Sequence, residues 1–228
     1  IEATSYLQFV NVTGTFDFSI LDGGDLAHCA FQGISPLKCP EAIQGGLTKG
    51  MGGAIFIEVL DNTTTALVKN GSKIYSGAGG GFNMKAEEGI MNFALAQSGG
   101  STSGSVGIGG TVSYLDQDSK TKAQVEGGVD VTGGTEVGEP KDTPGSPVTI
   151  YAGTLETNIN WAGAVGKGAN AGFGITVAIN DIDRDTEAII GDVSSVSGDP
   201  DHSGTASVIA SGLLDVKASA VGDLWAFT

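Results

Sequence analysis

Asp181, Asp183 and Asp185 stand at alternate positions in the stretch NDIDRDTE, residues 180–187. Carboxylates spaced this way match positions 1, 3 and 5 of a calcium loop of the EF-hand type. The match stops there. Position 6 of such a loop is glycine and here is Thr186; position 12 is glutamate and here is Asp192. No helix-like sequence flanks the segment. An EF-hand is excluded, which leaves a looser calcium site from the oxygens of Asp181, Asp183 and Asp185. The simpler expectation is a turn between two strands, with Asp and Asn side chains bonded to the backbone.

Other reactive residue types are sparse. Arg184 is the only arginine, and His28 and His202 stand apart. Glu87 and Glu88 are adjacent, as at a solvated strand end. No Gly-x-Ser-x-Gly elbow occurs, and GAGGGF (Gly77–Phe82) lacks the Lys-Ser/Thr of a phosphate loop. It reads as a link between elements. No catalytic residue is assigned, and a carbohydrate-active enzyme is the least favoured class. Cys29 and Cys39, with His28 beside them, are too few for a structural zinc set. In an extracellular protein they are expected to form a local disulfide.

The composition narrows the class. The 228 residues carry 26 acidic and 11 basic side chains, a net charge of −15. Such a surface repels nucleic acid and anionic membranes. No apolar run approaches the roughly 18–20 residues of a spanning helix, so neither nucleic-acid binding nor membrane insertion is expected. Glycine is abundant, at 38 residues, without the period of collagen. The chain opens at Ile1 without a start methionine, as a mature chain or an excised fragment would.

Those residues sit in a repeat. LDVKASAVGDLWAF, VTIYAGTLETNINWAG, FNMKAEEGIMNFALA and the opening IEATSYLQFVNV share one frame, which aligns Ala3, Ala86, Ala152 and Ala218. Their separations are 83, 66 and 66 residues. A second element alternates with the first: AIFIEVLDNTTTALVKNGS, GTVSYLDQDSKTKAQVEGG and GITVAINDIDRDTEAIIGD. It aligns Asp61, Asp118 and Asp183, then Thr64, Thr121 and Thr186, then Ala66, Ala123 and Ala188. The longer first interval places an insertion at about residues 21–47, where both cysteines lie. Candidate binding loops are that insertion, Thr132–Pro147 and Ser194–Thr205.

Both elements alternate with a period of two, as strands do. Ile175, Val177 and Ile179 point one way, and Thr176 and Ala178 the other. Trp161, Trp225, Phe93 and Phe227 are expected on both phases of the first element, so that both its faces are covered. Strand-only units of this size predict one all-β domain over 1–228, a parallel β-helix with loop insertions. Counting each half-repeat as a coil gives roughly seven coils and a rod section about 35 Å long. The alternative is an antiparallel β-sandwich.

The series GGTVSYLDQDSKTKAQVEGGVDV and GFGITVAINDIDRDTEAIIGD, followed by VTIYAGT or LDVKASA, resembles the repeats of large bacterial secreted filamentous adhesins. These include the filamentous-haemagglutinin and leukotoxin types and autotransporter passengers. The resemblance covers most of 52–228 and the first dozen residues. It implies a right-handed β-helix within an exported surface rod. It also implies host or neighbouring-cell surface molecules as partners, and an extracellular or cell-surface location. The cysteine-containing insertion departs from the pattern, since such passengers are generally cysteine-poor. Self-association is the alternative: a subunit of an extracellular filament or surface layer that polymerises through strand edges.

Overall fold

A computed structural model describes residues 1–16, 29–31, 49–77, 79–101, 105–133, 146–191 and 205–228. They form strands and turns only, with no helix. Three parallel sheets wind as a β-solenoid. Sheet A holds β1 (Glu2–Phe16), β5 (Phe82–Ser101), β8 (Val148–Lys167) and β11 (Leu214–Phe227). Sheet B holds β3 (Lys49–Val68), β6 (Val106–Val125) and β9 (Ala171–Ile190). Sheet C is narrow: β4 (Lys73–Ser76), β7 (Asp130–Gly133) and β10 (Ser207–Ala210). The chain visits A, B and C in turn and then begins the next coil. One short strand departs from this order. β2 (Cys29–Phe31) pairs antiparallel with Gly14–Phe16 at the edge of sheet A.

The sequence repeat is the hydrogen-bond register itself. Ala3, Ala86, Ala152 and Ala218 are successive partners across sheet A. Asp61, Asp118 and Asp183 are partners across sheet B, as are the three threonines and the three alanines. The parallel pairing throughout the long sheets excludes the antiparallel sandwich.

Two expectations are corrected. The half-repeats do not stack on each other; they alternate between sheets A and B, so one coil takes both. Sheet A is four parallel strands deep, about 15 Å at the usual inter-strand spacing, and its 20-residue strands run about 65 Å. The stack is therefore much shorter than 35 Å. The aspartate segment is not a turn, because β9 passes through it unbroken from Ala171 to Ile190.

Most of the expected insertion, with Cys39, lies outside the described residues, and so does the proposed Cys29–Cys39 pairing. His28, His202 and most of the Thr132–Pro147 and Ser194–Thr205 loops also lie outside them.

Each coil has two unlike ends. Where sheet C closes the coil, side chains fill a triangular core, with Val68, Met84, Val125, Val131, Val148 and Ile150 all buried. Gly71 and Gly128 turn the corner into sheet C with φ of 80° and 73°. At the other end sheets A and B meet directly. There the inward positions are Gly107, Gly109, Gly172 and Gly174, facing Ala164 and Gly166. A Cβ built on Gly109 would stand 2.5 Å from the Val165 carbonyl oxygen. The backbones are in contact, and no space remains for a side-chain core. The apolar residues of these segments consequently face outward.

Candidate functional site

Between the two ends, the interior of the A/B layer is mixed: Ile90, Leu115 and the Phe56, Ala94 and Ala96 cluster are buried beside a run of polar side chains. Alternation turns Glu88, Asn92, Thr154, Glu156, Asn158 and Asn160 inward from sheet A. Asn62, Ser113, Gln117 and Thr121 meet them from sheet B. Hydrogen bonds then zigzag between the sheets. Asn62 Nδ2 donates to Glu88 Oε1 at 2.6 Å, and Thr121 Oγ1 donates to Glu88 Oε2 at 2.6 Å. Thr154 Oγ1 donates to Thr121 Oγ1 at 3.0 Å and lies 2.8 Å from Thr186 Oγ1. This spine touches five successive long strands, β3, β5, β6, β8 and β9.

A second cluster surrounds Glu156, which is 1 % exposed. Arg184 Nε lies 3.3 Å from its Oε2, and Asn158 Nδ2 donates to its Oε1. Burial pushes the Glu156 carboxyl above the usual carboxylate range; the Asn158 bond and the Arg184 charge oppose this without reversing it. Sequence reasoning placed Arg184 in a turn and Glu88 at a solvated strand end. Both are corrected. Arg184 reaches inward to Glu156, and Glu88 is 2 % exposed.

The three aspartates of the opening motif lie on the opposite, outward face of β9. Alternate residues on a strand are about 6.6 Å apart, so they form a row rather than a cage. Lys120 Nζ holds Asp185 at 3.2 Å. Asp118 and Asp183 are adjacent in register, with Asp61 beyond them. Among the described residues, no three His, Cys, Asp or Glu side chains converge to hold a metal ion.

A groove with mixed chemistry lies on the outer face of sheet A. It spans about 330 Å³ across β1, β5, β8 and β11. Gly89 and Gly153 let the two tyrosine side chains lie close against the sheet; Tyr6, Tyr151, Leu155 and Val221 line the groove. The Tyr6 ring lies over Gly89, where a Cβ would come within 2.8 Å of it, and the Tyr151 hydroxyl lies over Gly153. Glu87 stands at the rim, 2.8 Å from Lys85 Nζ, and that contact raises the lysine's pKa. Two tyrosines with one ion pair at the rim can take a ligand that has an apolar face and a polar edge, such as a sugar ring.

Sequence reasoning missed this groove because it looked for binding on loops. A signal was present: Tyr6, Gly89, Leu155 and Val221 share one row of the repeat. The late aromatics need a similar correction. Trp161 aligns with Phe227, while Phe93 and Trp225 align with Ile159, two residues away. All four therefore share the outward phase. Trp161 and Phe227 pack with ring centroids 5.6 Å apart.

Comparison with protein-family models, with curated proteins and with solved structures returns no match.

Proposed function

We propose that the chain is a structural and adhesive segment of a secreted bacterial surface protein, with stacked β-coils presenting a binding groove and loops to molecules on other cells. The observation that carries this reading is the residue-for-residue stacking of a 66-residue unit. Such a unit can be added again and again, each coil supplying the edge for the next. The groove supports the adhesive part, since it crosses four stacked strands and exists only when coils are assembled.

The test is binding of the labelled chain to epithelial cells and to an immobilised glycan panel. Tyr6→Ala with Tyr151→Ala should weaken binding at least tenfold while leaving the far-ultraviolet spectrum unchanged. Absence of saturable binding by the unaltered chain at micromolar concentration would remove the adhesive part.

A second reading, a filament subunit that polymerises through strand edges, draws on the β11 end of the stack. There Leu214, Val216 and Leu224 occupy inward positions yet are 46 %, 41 % and 50 % exposed. A carbohydrate-active enzyme has less support. Glu87, the groove's outward carboxylate, is tied to Lys85, and Glu88 is engaged in the interior.

A further inference from the structure

The outer face of sheet B divides sharply. Its apolar rows run from Met51–Ile108–Phe173 to Ile57–Tyr114–Ile179. The next row is Val59–Asp116–Asp181, and the one after it is Asp61–Asp118–Asp183. The apolar part covers the end where the two sheets touch through glycine. Exposure there reaches 83 % at Met51, 69 % at Ile55, 64 % at Ile175 and 57 % at Phe173. At the Met51–Ile108–Phe173 end these side chains cannot turn inward, because backbone fills the space on that side.

We propose that this apolar half of sheet B is a self-association surface, on which two copies of the chain pair face to face with their strands antiparallel.

The extent of the patch supports a second copy. The patch holds nine large apolar side chains, each at least 40 % exposed, and a standard interface buries roughly 800 Å² per partner. Patches on soluble monomers usually stop near 300–600 Å². A flat sheet face is also self-complementary, as a two-fold interface requires.

Charge placement selects the orientation. Parallel overlap would lay one aspartate ladder on the other. Antiparallel overlap sends the two ladders to opposite ends of the pair. A two-fold axis across the strands then sets β6 against β6, with Val112 opposite its own counterpart near the centre.

A lipid surface fits less well. Among the described residues β3 and β9 are the edge strands of sheet B, and insertion of this end would bury the backbone groups left unpaired there in hydrocarbon.

Sedimentation velocity on the full chain, from 1 to 100 µM, tests the proposal. The expected species is twice the 22.8 kDa chain mass, and it should persist in 0.5 M salt. Ile55→Lys with Val177→Lys should return it to monomer. Both positions face outward, so circular dichroism should not change. In a Cys29→Ser/Cys39→Ser background, Val112→Cys should cross-link to a covalent dimer under mild oxidation.

A monomer at 100 µM overturns the proposal, and so does a monomer that floats with phosphatidylcholine vesicles. A dimer or filament that survives the two lysines also overturns it, by placing the contact on a strand edge or on sheet A. A lysine-sensitive dimer that Val112→Cys fails to cross-link overturns the antiparallel arrangement. None of these outcomes depends on the cell-binding result, so the adhesive reading stands or falls separately.

Discussion

Thr121 on β6 donates a 2.6 Å hydrogen bond to Glu88 on β5, joining two sheets rather than two strands of one sheet. Each residue is almost fully buried. Glu88 receives a second bond from Asn62, and Thr121 accepts one from Thr154. A buried carboxylate is tolerable when donors surround it and costly when one is withdrawn.

Thr121→Val keeps the shape and removes that donor. It should destabilise the chain by about 1.5–3 kcal/mol, as the loss of a bond to a charged group does. Thr64 occupies the same ladder position one coil away, but its Oγ1 makes no hydrogen bond with the described residues. Thr64→Val should therefore be nearly neutral or slightly stabilising. Urea unfolding followed by tryptophan fluorescence measures both. Equal losses would show that the hydroxyl bond to Glu88 is not what matters at this level.

Glu156 should give the chain an uncommon acid response. Its carboxyl is raised in the folded state, chiefly by burial, above an ordinary value near 4.5. Between the ordinary and the raised value the folded chain binds more protons than the unfolded chain. Stability from this group is therefore full below about 4.5 and falls as pH rises through the raised value. Glu156→Gln should flatten this component and raise the urea midpoint at pH 8 relative to the unaltered chain. A pH profile unchanged by the substitution would contradict the assignment.

Gly109 and Gly110 are neighbours with opposite duties. Gly109 faces the Val165 backbone, whereas a Cβ on Gly110 would meet nothing within 4 Å. Gly109→Ala should destabilise by about 1–3 kcal/mol, because the sheets must separate. Gly110→Ala should stabilise by roughly 0.4–1 kcal/mol, by restricting the unfolded chain. Thermal melts of the two variants compare them directly. Equal effects would mean that the sheets are not in backbone contact there.

The register of the stack was legible from the sequence, since identical residue types recur at identical offsets. Ala86, Ala152 and Ala218 could be aligned by eye and prove to be hydrogen-bonded partners. The number of coils was not legible. A half-repeat carries no mark of which sheet it joins, and strand period alone cannot distinguish two sheets from one. Asp181–Asp185 was misread for a related reason. Its polar residues resemble a turn, yet on a strand they divide between an outward aspartate row and inward Ile182 and Arg184. The polar run of the interior was hidden because alternation shows that two faces differ, and apolar residues are normally assigned to the inside. Here glycine reverses the assignment at one end.

The long parallel strands also decide how the molecule would carry load. The chain enters at the start of β1 and leaves at the end of β11, the two outermost of the parallel strands of sheet A, and at opposite ends of those strands. A pull between these points runs largely along the strands. It shears each ladder as a whole instead of peeling its bonds one at a time. Every bond in a ladder of up to 20 residue pairs then resists together, so the fold should behave as a stiff mechanical link.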